Sequence, residues 1–174
     1  IRKGMFVTLF YIIIDSKKRR LNFASAGHNP MILYRSSTNQ TYYLNPRGFP
    51  IGLQLAEKDL FRKCIQSDTI QLVEGDLITL YTDGVTEAMN SQRELYGEER
   101  LLKTIRDGGM DGADSFSERL SQDVGAFTES QPQNDDITFV TIREKTNLQK
   151  EELRRAREVW KMYSEGMTIR EACE

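Results

Sequence analysis

The spacing of apolar residues changes character at Asp83, and this change constrains the fold more than any other feature of the chain. Before it, apolar residues come in short runs rich in Val, Ile, Phe and Tyr, separated by polar or glycine-containing turns, the pattern of strands. The expected strands are residues 5–14, 21–26, 31–34, 41–44, 60–65, 69–73 and 77–82. The first and last are too apolar to leave one face in water, so both are expected to be buried, with 5–14 as a central strand. Turn signals lie between them, at 15–20, 27–30, 36–40 and 74–76, and residues 45–52, with two prolines and two glycines, form a structured loop. The bases Lys17, Lys18, Arg19 and Arg20 read as a solvated hairpin tip rather than a phosphate patch.

Beyond Asp83 the period becomes helical. Residues 85–89 suit one helical turn, and 98–106 place Leu101, Leu102 and Ile105 on one side. Ala113, Phe116, Leu120, Val124 and Phe127 recur at intervals of three and four, which predicts an amphipathic helix, with Asp111 and Asp114 placed to cap its start. Residues 137–142 are a last apolar strand. Strands, then helices, then a strand indicate an α+β layered domain.

Composition narrows the function classes. The chain has 174 residues, 39% hydrophobic and 29% charged, enough apolar surface for a packed core. Its 24 basic and 26 acidic residues leave a net charge of -2, with no general pull toward nucleic acid or anionic membrane. No apolar run approaches the ~20 residues that cross a bilayer. Two cysteines, Cys64 and Cys173, make no disulfide framework and fit a reducing, cytoplasmic compartment. The chain enters its first apolar run directly after Ile1-Arg2-Lys3-Gly4, so Ile1 is expected to be an internal point of a longer protein. From 144 to 174, Leu153, Ala156, Trp160, Tyr163 and Met167 form a short heptad-like stripe, read as a packing or homodimer surface. Thr168 and Glu171 form a capping box that resembles the opening of a helix-turn-helix, but seven basic and seven acidic residues in this segment give no net charge for DNA.

Two acidic spots stand out by position. Asp83 ends a buried strand and is followed by Gly84, which permits close backbone approach. Asp135 and Asp136 precede the final strand. If that strand pairs beside 77–82, the two spots converge, and clustered carboxylates bind hard cations such as Mg²⁺ or Mn²⁺. The alternative is purely structural: Asp83 caps the next helix and Asp135-Asp136 form an Asx turn. His28, the one histidine, is read as a turn residue hydrogen-bonded within 27–30, and Cys64 as a strand residue with no ligand partner.

Five segments occur in order: Phe6-Val7-Thr8-Leu9-Phe10-Tyr11, Ala26-Gly27-His28-Asn29-Pro30, Gly75-Asp76-Leu77 with Leu80-Tyr81-Thr82-Asp83-Gly84-Val85-Thr86-Glu87-Ala88, Tyr96-Gly97-Glu98-Glu99-Arg100-Leu101, and Asp135-Asp136-Ile137-Thr138. Together they closely resemble the bacterial metal-dependent serine/threonine phosphatases of the type 2C-like (PPM) superfamily, in the branch of SpoIIE and RsbU. The resemblance covers about residues 5–143, so residues 1–143 are expected to be the later part of such a domain and 144–174 a helical extension. It implies an antiparallel β-sandwich flanked by helices, with a two-metal site at one end. It further implies that Asp83 and Asp135 are metal ligands and catalytic, that Gly84 is the glycine beside the first ligand, and that Asp136 sits just behind the metals. Two Mn²⁺ or Mg²⁺ ions would activate a water that attacks a phosphoserine or phosphothreonine. The substrate so implied is a phosphorylated bacterial regulatory protein of the anti-sigma factor antagonist type. A further metal aspartate of the family lies in a D-x-x-G-H-G-like motif, which nothing in this chain matches. The resemblance therefore also leaves room for a catalytically incomplete interaction or dimerisation module.

Overall fold

The structure, a computed structural model, describes residues 4–53, 59–129, 131–133, 135–145 and 150–157. Seven strands run in chain order as β1 (Leu9–Asp15), β2 (Arg20–Ala26), β3 (Met31–Arg35), β4 (Gln40–Leu44), β5 (Ser67–Gln71), β6 (Leu77–Tyr81) and β7 (Phe139–Arg143). With them lie four helices, α1 (Leu60–Cys64), α2 (Asp83–Thr86), α3 (Gly97–Asp107) and α4 (Ala113–Thr128). The strands form a three-stranded sheet, β1-β2-β5, and a four-stranded sheet, β4-β3-β6-β7, antiparallel throughout.

Alternation along the two central strands builds the layers. In β3, Met31 and Leu33 join Leu21, Phe23, Leu72 and Ile78 in a core between the sheets. The intervening Ile32 and Tyr34 join a second core with Leu77, Tyr81 and the helices. Successive strand side chains point to opposite faces, so a strand covered on both sides carries no polar face. This is why 31–34 and 77–82 read as continuous apolar runs. The amphipathic spacing of α4 is realised, with Phe116, Leu120 and Val124 buried against the four-stranded sheet and α3. The result is an antiparallel β-sandwich with α2, α3 and α4 on one face, the α+β architecture anticipated above.

Four local expectations need correction. Residues 5–14 are not a central strand: among the described residues β1 lies at a sheet edge beside β2 alone, and Leu9, Tyr11 and Ile13 are 46%, 57% and 51% exposed. Only its other face, through Phe10 and Ile12, packs into the inter-sheet core. Residues 60–64 are helical rather than extended, because Lys63 N–H bonds to the carbonyl of Asp59 and Ile65 N–H, from the extended cap residue, to that of Phe61. So short an apolar run has no period of its own to tell the two states apart. Asp111 does not cap α4: its carboxylate pairs with Arg119 at 2.7 Å, and Gly112 occupies the cap position without a side-chain bond. The His28 ring bonds Thr8 Oγ1 at 3.1 Å rather than a partner within its own turn.

The chain divides into two compact units, Ile1–Glu144 and Lys145–Glu174. In the second, residues 150–157 are helical, with Glu151 bonded to Arg154. Leu153 and Ala156 of the expected stripe lie on this helix, while Trp160, Tyr163, Met167 and the capping box lie outside the described residues.

Candidate functional site

β6 and β7 are neighbours, with Tyr81 opposite Phe139. The pairing runs one step past the strands, where Thr82 N–H donates to the carbonyl of Thr138 at 2.9 Å. At that point the Thr82 hydroxyl takes over. It donates to the carbonyl of Asp136 at 2.9 Å and accepts from Thr138 N–H at 3.1 Å. One side chain thus ties the end of β6 to the loop before β7, and the two acidic segments meet across more than fifty residues of sequence.

Gly84 makes that meeting possible. A Cβ at this position would lie 2.4 Å from the carbonyl oxygen of Asp136, against main chain rather than a side chain able to swing aside. Gly84 is buried, while Asp83, Asp135 and Asp136 are exposed. Asp83 begins α2 instead of capping it, with Thr82 in the cap position, and its Oδ1 accepts from Gly84 N–H at 3.1 Å. Asp135 Oδ1 likewise accepts from the adjacent Asp136 N–H at 2.7 Å. Each carboxylate is therefore oriented by the backbone of the next residue and keeps its second oxygen clear of that bond.

Carboxylate oxygens at a chain crossing suit Mg²⁺ or Mn²⁺ in donor type, since hard cations take oxygen ligands. They do not suffice in number. Among the described residues no group of three or more His, Cys, Asp or Glu side chains could hold a metal ion. His28 and Cys64 lie on other elements, the former after β2 and the latter at the end of α1.

Beside the crossing opens a cleft of about 510 Å³, bordered by Gly84 and Asp135 on one side and by Val124 and Thr128 of α4 on another. Met89 and Leu95, the two ends of a short loop, form a further wall. The loop is closed by a bridge between these two residues and tied to the end of α4 by a bond from Ser91 to Glu129. Neither the cleft nor the role of Thr82 was visible in the sequence. Thr82 and Thr138, hydroxyl residues at two strand ends, were the available signal, but only the pairing of β6 with β7 gives it meaning.

Residues 1–145 match the model of the Stage II sporulation protein E (SpoIIE) family. The chain belongs to this family of PPM-type phosphatases. It is 30% identical over 142 residues to the phosphoserine phosphatase RsbU of Bacillus subtilis, a match that covers 82% of this chain and 40% of that protein. The SpoIIE fold is equally clear in solved structures. The SiaA PP2C domain of Pseudomonas aeruginosa superposes with a TM-score of 0.66 at 21% identity, over 83% of this chain and 54% of that one. The manganese-soaked phosphatase domain of SpoIIE from Bacillus subtilis gives 0.58 at 22% identity, over 80% and 57%. This chain spans between 21% and 40% of the length of the curated relatives it matches.

Proposed function

We propose that the chain carries part of the active site of a metal-dependent protein phosphatase acting on phosphoserine or phosphothreonine. The observation that supports this most is the threonine-clamped crossing that sets the Thr82-Asp83-Gly84 segment against Asp135-Asp136. Asp83 and Asp135 are read as ligands that, with further donors, hold Mn²⁺ or Mg²⁺; when bound, such ions activate water and offset phosphoryl charge. The chain's own residues orient: Gly84 N–H and Asp136 N–H each fix one carboxylate, and Thr82 fixes the distance between the loops. The carboxylates themselves are not nucleophiles in this reading. Gly84 contributes its backbone, and Asp136 acts through its main chain, supporting the position of Asp135.

The substrate read from the family likeness is a phosphorylated regulatory protein, of the kind that antagonises an anti-sigma factor, in the cytoplasm. No helix among the described residues is long and apolar enough to cross a membrane. The test is Mn²⁺-dependent hydrolysis of a phosphoserine peptide by the full-length protein. Asp83→Asn and Asp135→Asn should each lower kcat/KM by at least about a hundredfold, more than the loss typical of residues behind a metal's direct ligands. Wild-type rates in both variants would defeat the assignment.

A second reading is an interaction module without its own catalysis, favoured by the lack of a three-ligand group among the described residues. It includes association through the helix that contains residues 150–157. Sedimentation of the protein with and without residues 147–174 tests this, and an unchanged mass removes it.

A further inference from the structure

The cleft beside the acidic crossing has a one-sided chemistry. Ala88, Met89, Leu95, Ile137 and Phe139 line it together with uncharged polar side chains, and its only charged lining residues among those described are Glu87 and Asp135, both acidic. No lysine or arginine among the described residues lines it. Its volume of about 510 Å³ falls within the range of roughly 300–1,000 Å³ typical of ligand pockets. Gly84 and Asp135 belong to both the crossing and the cleft, so a chain whose phosphate lay at the crossing would run its neighbouring residues directly into this space. Leu95 is half exposed at the mouth of the cleft, presenting an apolar side chain to whatever enters.

We infer that this cleft is the groove for the segment flanking the phosphorylated residue, and that it selects substrates with an apolar, non-acidic flank. The inference rests on the phosphatase reading above. The physical basis is complementarity: apolar walls gain by covering an apolar side chain, and the Glu87 carboxylate, which is no ligand in the phosphatase reading, repels an acidic one. The selecting residues are Met89 and Leu95, which offer the apolar contact, and Glu87, which rejects negative charge.

The test uses the full-length protein in Mn²⁺ with three substrates: para-nitrophenyl phosphate, a phosphoserine peptide with leucine and lysine in its flank, and the same peptide with aspartates there. The wild type should favour the apolar-flanked peptide over the acidic one by about tenfold or more in kcat/KM. Leu95→Glu should lower kcat/KM for the apolar-flanked peptide relative to the small ester by about tenfold, mainly through KM. Leu95→Met, which keeps the apolar surface, should restore the ratio and shows that folding is intact. Equal use of the two peptides, or an unchanged ratio in Leu95→Glu, overturns the groove while leaving the phosphatase reading in place. Failure of the wild type to hydrolyse even the small ester in Mn²⁺ overturns both.

Discussion

At the scale of single residues, the site depends on one hydroxyl and one missing methyl group. Thr82→Val keeps the shape of the side chain but removes the bonds to the Asp136 carbonyl and the Thr138 N–H. The expected cost is about 1–3 kcal/mol, because two backbone groups lose a partner at once. Thr82→Ser should recover most of it. Gly84→Ala places a methyl group 2.4 Å from the Asp136 oxygen, so the two loops must separate. Overpacking of this kind costs roughly 1–3 kcal/mol. Urea midpoints at constant m-value measure both losses, and phosphopeptide hydrolysis should fall further than stability does. A Gly84→Ala protein with wild-type midpoint and rate would contradict the close approach. Asp83, Gly84, Asp135 and Asp136 were all legible as residues of interest, Asp83 and Gly84 from their place at the end of a buried strand and the acidic pair from its place before the last one, although position alone left a capping or turn role equally open. Thr82 was not, because its bonds go to main chain that is remote in sequence.

At the scale of elements, a buried hydrogen-bond cluster joins α3 and α4. Tyr96, just before α3, is buried, and its hydroxyl donates to Asp123 of α4 while sharing a 3.0 Å bond with Thr104 of α3. Phe127 packs edge-on against its ring at 5.5 Å. Burial first, and the bond to Asp123 second, raise the Tyr96 phenol well above its ordinary range. The unfolded chain loses this proton near pH 10 while the folded chain keeps it, so stability declines as pH rises above about 10. Tyr96→Phe should cost about 1–3 kcal/mol at neutral pH by removing the shared hydrogen bonds. It should also make the alkaline decline shallower. A decline remains, because burial also pushes the Tyr81 phenol up, to about 12. Unfolding curves at pH 7 and at stepped pH above 9 check both, and an unchanged alkaline slope would remove Tyr96 from the account. Element type was legible where the run was long: α4 carries five apolar positions at helical spacing. It was not legible for 60–65, where backbone bonds to Asp59 and Phe61 decide between two states that the side chains do not distinguish.

At the scale of the whole molecule, two cores share the four-stranded sheet. Leu33 and Ile78 look toward the other sheet, and Ile32 and Leu77 toward the helices, so β3 and β6 are anchored on both faces. The crossing sits at the end of β6, the most buried strand beside β3, which holds the loops against a rigid frame. Ion binding should therefore register as stability. A metal that binds the folded state alone, at a hundred times its dissociation constant, adds about 2.7 kcal/mol. Mn²⁺ should raise the Tm of the full-length protein, and the combined Asp83→Asn, Asp135→Asn variant should lose most of that shift. An equal shift in the variant would place the ion elsewhere.

The layered α+β class, the order of most elements and the identity of the acidic residues were determined by the sequence alone, because period and strand-end position are local properties. Tertiary structure decided what locality cannot reach. Whether an apolar run is central or at an edge depends on how many strands pair with it, and among the described residues β1 pairs only with β2. Whether Asp83 and Asp135 are neighbours depends on β6 pairing with β7, and on a hydroxyl and a glycine that let two distant loops touch. The cleft beside them exists only where α4, the 89–95 segment and the approach to β7 come together. Its preference for an apolar partner is a property of that assembly and of no single segment.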